Sequence, residues 1–154
     1  MSIGLWIAVA AVVLAVAFGG YRAATDGRFA RRVRDEDGPR TAGATGTHPH
    51  DAVWSSVSAA VPEALPGERA TLVQFSSAFC APCRATRRVL DDIAARVPGV
   101  THVEIDAEAH LDLVRRLGIL RTPTTIVLDA AGAEVARASG APRPDQVLNA
   151  LPSA

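Results

Sequence analysis

A chain of 154 residues with a formal net charge of zero suits one small domain and offers no overall electrostatic attraction to nucleic acid. All 16 basic residues are arginine, which leaves no lysine ammonium for catalysis. The two cysteines, Cys80 and Cys83, are too few for a secreted disulfide scaffold or a four-cysteine zinc site.

Residues 2–21, SIGLWIAVAAVVLAVAFGGY, carry no charge. As a helix this run covers about 30 Å, the hydrocarbon thickness of a bilayer, and Trp6 and Tyr21 sit near its ends where interfacial aromatics belong. A cleaved secretory signal needs a positive segment ahead of its apolar core, and here only the amino terminus precedes it, so the run reads as an uncleaved single-pass anchor. Arg22, Arg28, Arg31, Arg32 and Arg34 follow, opposed before Asp35 by Asp26 alone. Under the positive-inside rule this flank stays in the cytoplasm and brings the rest of the chain with it, with anionic headgroups holding it near the cell membrane. The competing reading is a solvated linker on the outer face. Residues 35–51, DEDGPRTAGATGTHPHD, lack apolar periodicity and complete, over 22–51, an Arg-rich juxtamembrane segment and flexible tether. His48 and His50 lie there without further ligands and read as loop residues, so no metal site is expected.

From residue 52 the pattern changes. Residues 52–67 predict a short helix with Trp54, Val57 and Val61 on one stripe, ending before Pro62. Residues 71–77 predict a strand. Beyond the cysteines, Ala85, Val89, Ile93 and Val97, with Leu90 and Ala94, form an apolar helical stripe opposite Arg84, Arg87, Arg88, Asp91, Asp92 and Arg96. A strand over 100–106 and a helix over 108–117 follow, the helix with Leu113, Val114 and Leu117 inward and Gly118 as a left-handed cap. Residues 124–129 and 133–139 flank a turn and read as a hairpin, and a last helix starts at Pro144 with Val147, Leu148 and Leu151 inward. There is no internal repeat. From the 71–77 strand onward the order β-α-β-α-β-β-α predicts, within 52–154, an α/β domain with a central mixed sheet flanked by helices.

Both thiols fall in FCAPC, residues 79–83, where the strand gives way to the helix. Disulfide exchange needs a thiolate, and the first turn of a helix stabilises one through unpaired N–H groups and its dipole. Cys80 lies just before that turn, Pro82 can start it, and Arg84 and Arg87 add positive potential. Cys83 is spaced to attack a mixed disulfide at Cys80.

With the RTPT run around Pro123, the LGILRTP approach to it and the hairpin ending at Ser139, Gly140 and Ala141, residues 70–151 resemble the thioredoxin family. The resemblance implies the thioredoxin fold, and a membrane-tethered thiol–disulfide oxidoreductase that works without a bound cofactor. It implies disulfide-containing protein substrates, an electron donor the sequence does not identify, and no nucleic acid. Cys80 and Cys83 are then catalytic; Phe79, Ala81 and Pro82 border the substrate; Thr122 and a cis Pro123 form the substrate edge. Three departures stand out. Phe79 replaces the family's tryptophan, Ala81 its glycine, and Gln74 the buried aspartate six residues before the first cysteine, and glutamine cannot titrate. His102 stands at the place of the family's lysine on the adjacent strand, so possible proton transfer at Cys83 falls to it, against a plain hydrogen-bonded structural role. The Ala-Pro pair lacks the histidine of strong oxidants, which favours reduction of partners. On the outer face the same residues would resemble tethered proteins that keep envelope thiols reduced. A soft-metal carrier also uses C-x-x-C between strand and helix but has no need of Pro123, and a binding module with little turnover has no need of both cysteines.

Overall fold

The computed structural model describes residues 3–25, 27–31 and 52–153. The predicted tether over 35–51, with His48 and His50, lies outside the described residues. The first element is helix α1 (Ile3–Thr25). Its stretch Gly4–Tyr21 is exposed, long and apolar enough to cross a membrane. The remaining elements are β1 (Phe29–Arg31), α2 (Ala52–Ala60), β2 (Ala70–Ser76), α3 (Ala81–Arg96), β3 (Val100–Asp106), α4 (Leu111–Arg116), β4 (Thr124–Asp129), β5 (Glu134–Ser139) and α5 (Pro144–Ala150).

The five strands form one mixed sheet in the order β1-β5-β4-β2-β3, with β2 and β3 parallel and the other pairs antiparallel. β2 is buried along its whole length because helices cover both faces of the sheet. Strand alternation divides its side chains between two cores. Val73 and Phe75 join Val53 and Val57 of α2, Leu113 of α4, and Val103, Ile105, Ile126 and Leu128. Ala70 and Leu72 face the other way, onto Leu90 and Ile93 of α3 and Val147 and Ala150 of α5. Phe75 is fully buried in the first core, so Phe75→Ala leaves a cavity the packed sheet cannot close. Its expected cost is about 3–5 kcal/mol, read as a lowered urea midpoint with an unchanged slope.

Several sequence expectations are corrected in detail. The inward stripe of α3 runs Cys83, Thr86, Leu90 and Ile93, while Ala85 is exposed. A face centred on Leu90 and Ile93 reaches back by three- and four-residue steps to Thr86, and Ala85 falls on its flank. In α5 the exposed position is Leu148 and the buried one Ala150. Helix α4 begins three residues later than the pattern suggests, because Asp106 caps a turn first: its Oδ1 accepts the Glu108 N–H (2.9 Å) and its carbonyl the His110 N–H (3.2 Å). Gly118 does close the helix with φ +64°.

Strand β1 is the larger addition. Drawn from the arginine-rich segment, it pairs with β5 through Phe29↔Ala138, Ala30↔Arg137 and Arg31↔Ala136, and Phe29 packs on the second core. Gly27, just ahead of it, is buried, donates its N–H to the Ser139 carbonyl (3.0 Å) and holds φ +73°.

Candidate active site

The site forms where β2 ends and α3 begins. Cys80 is the N-cap of α3 in an extended conformation, and its Sγ accepts the Cys83 N–H at 3.1 Å. Its carbonyl also receives the N–H groups of Cys83 (3.1 Å) and Arg84 (3.4 Å), so the first turn closes around this residue. Ala81 and Pro82 supply the first helical positions, where proline forfeits no hydrogen bond. Cys80 and Cys83 are joined by a disulfide with Cα atoms 5.2 Å apart. Burial separates the two sulfurs: Cys83 is 2% exposed, whereas Cys80 is partly exposed on a surface shared with Ala81, Pro82 and the 98% exposed Phe79. An attacking thiol must meet a partner and a resolving thiol need meet only its neighbour, and the exposures match that order.

A second segment closes the site from the far side of the sheet's end. Ser77 Oγ lies 3.1 Å from Thr122 Oγ1, and the Ser77 carbonyl accepts the Cys80 N–H (3.3 Å), so the β2–α3 loop and the Thr122–Pro123 segment are tied together. The Thr122–Pro123 peptide is cis. The Pro123 carbonyl accepts the Gly140 N–H at 2.8 Å, and Thr124 Oγ1 donates to the Arg121 carbonyl at 2.7 Å, fixing the segment on both flanks. Leu120, three residues before Pro123, is 95% exposed, so two large apolar side chains, Phe79 and Leu120, stand in solvent on the loops of this site. An exposed apolar surface of that kind suits contact with a polypeptide.

Beneath the disulfide the polar groups are arranged differently from the sequence expectation. Gln74 is fully buried on the α3 face of β2, where its Nε2 donates to the Cys83 carbonyl (3.0 Å) and to Ser76 Oγ (3.0 Å). The Cys83 carbonyl can only accept, which fixes the amide's orientation and leaves Gln74 Oε1 buried without a partner among the described residues. Ser76 Oγ donates in turn to Glu104 Oε1 at 2.6 Å, and Arg87 meets Glu104 Oε2 at 3.1 Å. Arg87, expected to add positive potential at Cys80, thus has its charge answered by Glu104 and, at 3.6 Å, by Asp91.

His102 is not brought to Cys83. Its Nδ1 lies 2.6 Å from Asp91 Oδ1, and Asp91 is eight residues along α3 from Cys83, about 12 Å at the helical rise. Its side chain is 5% exposed with Nε2 unpartnered among the described residues, which is the setting of a packed histidine. His110 is the N-cap of α4, outside the site. Sequence reasoning missed Ser76 and Glu104. The one available signal was that Gln74, Ser76, His102 and Glu104 occupy same-face positions of adjacent strands, and using it requires the parallel register that places Gln74 opposite Glu104.

A helix-capping cysteine disulfide at the end of a central strand, facing a proline segment, defines a thiol–disulfide oxidoreductase domain of thioredoxin fold. Comparison with known proteins agrees. A family model described as a thioredoxin-like domain matches residues 57–154. The thioredoxin of Chlamydia muridarum is 31% identical over 80 residues, covering 52% of this chain and 78% of its own length. That of Alicyclobacillus acidocaldarius is 32% identical over 66 residues, covering 42% and 63%. Among solved structures, thioredoxin F from spinach chloroplast superposes with a TM-score of 0.50 at 26% identity, over 63% of this chain and 80% of that one. A Nicotiana alata thioredoxin superposes at 0.50 with 22% identity, over 69% and 94%, and speaks for the fold alone. The chain belongs to the thioredoxin family.

Proposed function

We propose that the chain is a membrane-anchored enzyme that reduces disulfides in partner proteins, with Cys80 as the attacking thiol and Cys83 as the resolving one. The observation that carries this is the asymmetry of the pair: Cys80 caps the helix and is partly exposed, while Cys83 lies buried beneath it. Phe79, Ala81 and Pro82 then border the partner, and Thr122 with Pro123 forms the edge along which its backbone lies. The cap stabilises the Cys80 thiolate, but Ala81 and Pro82 add no titratable group between the cysteines, so the reduced form lacks the extra stabilisation that makes an oxidant. Electrons come from a donor acting on the same disulfide.

In this reading residues 2–21 form the anchor, 22–51 the juxtamembrane segment that contributes β1, and 52–154 the thioredoxin-like domain. The exposed apolar face of α1 supports the anchor, and the arginines at 22, 28, 31, 32 and 34 support a cytoplasmic location for the domain. The test is a redox titration of the full-length protein in detergent, following the Cys80–Cys83 disulfide in thiol buffers of known potential. The expected midpoint lies near that of ordinary thioredoxins, about −270 mV, and one near about −120 mV would mark an oxidant and refute the direction. Protease accessibility of the domain in sealed inverted vesicles tests the side: digestion without detergent is expected, and protection would place the domain outside.

A further inference from the structure

Resolution of a mixed disulfide requires Cys83 to lose a proton while it is buried, and Gln74, the buried side chain hydrogen-bonded to the Cys83 carbonyl, cannot take it. Cys83 does, however, line an open cleft of about 360 Å³ together with Ser76, Ser77, Arg84, Glu104 and Asp106. That volume holds several waters at about 30 Å³ each. We infer that Glu104 is the proton acceptor for Cys83, reached through a water in this cleft, so that the acid function missing from β2 is supplied by the neighbouring strand. The inference rests on the exchange activity proposed above.

Three observations single out Glu104. It is held in place from both sides, by Ser76 Oγ on Oε1 at 2.6 Å and Arg87 on Oε2 at 3.1 Å, with its side chain 30% exposed and so open to water. Its position along the sheet is right: Arg87 is four residues from Cys83, one helical turn or about 6 Å, while His102 is held a turn further on by Asp91. Gln74 couples the carboxylate to the reacting residue, since its Nε2 binds both the Ser76 hydroxyl that serves Glu104 and the Cys83 carbonyl. Asp106 shares the cleft, but among the described residues no hydrogen bond joins its side chain to Gln74 or Ser76, so it lacks the link to Cys83 that Glu104 has. The titratable or charged groups around Glu104 are therefore Arg84, Arg87 and Asp91 from α3 and His102 and Asp106 from β3, with Gln74 and Ser76 from β2.

The step balances as follows. The Cys83 S–H proton passes through water to the Glu104 carboxylate, and the Cys83 sulfur attacks Cys80 Sγ. The bond between Cys80 and the partner sulfur breaks as the Cys80–Cys83 bond forms, and the partner leaves as a thiolate that is reprotonated at the expense of Glu104. The enzyme dithiol loses two electrons and the partner disulfide gains them.

Stopped-flow reaction of the reduced full-length protein with oxidised glutathione separates the attack by Cys80 from resolution by Cys83. Glu104→Gln keeps the shape and the acceptor oxygen for Ser76, and it is expected to leave the first phase intact and slow the second roughly 100-fold at pH 7. Without a base, resolution should track the thiolate fraction and rise about tenfold per pH unit, a profile that loss of packing does not produce. Glu104→Asp should recover part of the rate, and Asp106→Asn should behave as wild type. Resolution by Glu104→Gln at the wild-type rate with an unaltered pH profile overturns the inference, as does equal slowing by Asp106→Asn. Should Glu104→Gln fail to fold, Ser76→Ala, which frees Oε1 but keeps the carboxylate, must still slow the second phase selectively, and an unchanged second phase overturns the inference. Absence of both phases in the wild type would instead overturn the exchange activity itself.

Discussion

Cys80→Ser is expected to bring turnover of protein disulfides down to the uncatalysed background, while Cys83→Ser is expected to perform one attack and stop. The two outcomes differ because the sulfurs occupy different environments. Cys80 caps α3 with its Sγ on the Cys83 N–H at 3.1 Å and faces solvent, so a partner disulfide can reach it. Its removal takes away the nucleophile, and a serine hydroxyl at the same place is far too weak an acid to replace it. Cys83 is 2% exposed and meets no partner. Its removal blocks only resolution, so the partner stays joined to Cys80 and migrates with the protein in a non-reducing gel until a thiol releases it. Equal retention of partners by both variants, or turnover by Cys80→Ser, would reverse the assignment of roles.

Gly27→Val is expected to detach β1 from the sheet. Gly27 holds φ +73°, which costs a branched residue about 1–3 kcal/mol, and an added Cβ would overlap the Ala141 carbonyl and the Pro142 nitrogen. The interaction it must oppose is small. A three-residue strand gains about 0.5–1.5 kcal/mol net per hydrogen bond and gives back about 1–2 kcal/mol per residue in backbone entropy, so little beyond the packing of Phe29 holds it. The steric penalty exceeds that margin. Amide hydrogen exchange should show protection lost across 29–31 and on the β5 amides facing β1, with β2, β3 and β4 unchanged. Unchanged protection in β1 would mean that the strand does not depend on the close approach at Gly27.

The domain was readable wherever the chain's own periodicity decided the outcome. The strand at 100–106, the hairpin around Gly132 and the cap at Gly118 each follow from local pattern and turn chemistry, and they stand where expected. Cys80 at the helix start was equally legible, because N-cap geometry is a local property. What escaped needed partners distant in sequence. Phe29-Ala30-Arg31 has no strand signature, and becomes one only because β5 offers an unpaired edge. Ala85 and Leu148 satisfy a helical stripe on paper, yet the faces turn toward Leu90 and Val147, where the sheet is. Glu104 could be found only from the register of β2 on β3, whereas His102 sits in the hydrogen-bonded structural setting that was the alternative to proton transfer.

Gly27 has a consequence for distance. Helix α1 ends at Thr25 and the chain is already hydrogen-bonded to Ser139 at Gly27, so the connection spans at most about 7 Å. Had the domain begun at α2, the 26 intervening residues would have behaved as a coil with an r.m.s. span of about 28 Å. The domain therefore starts within two residues of α1, and under the proposed anchoring it is mounted on that helix where a tether would have let it swing. Anchored as proposed, it would search a volume smaller by more than an order of magnitude, with its local concentration at any target within reach raised to match. An anchor of this kind would favour partners beside the protein over those at a distance.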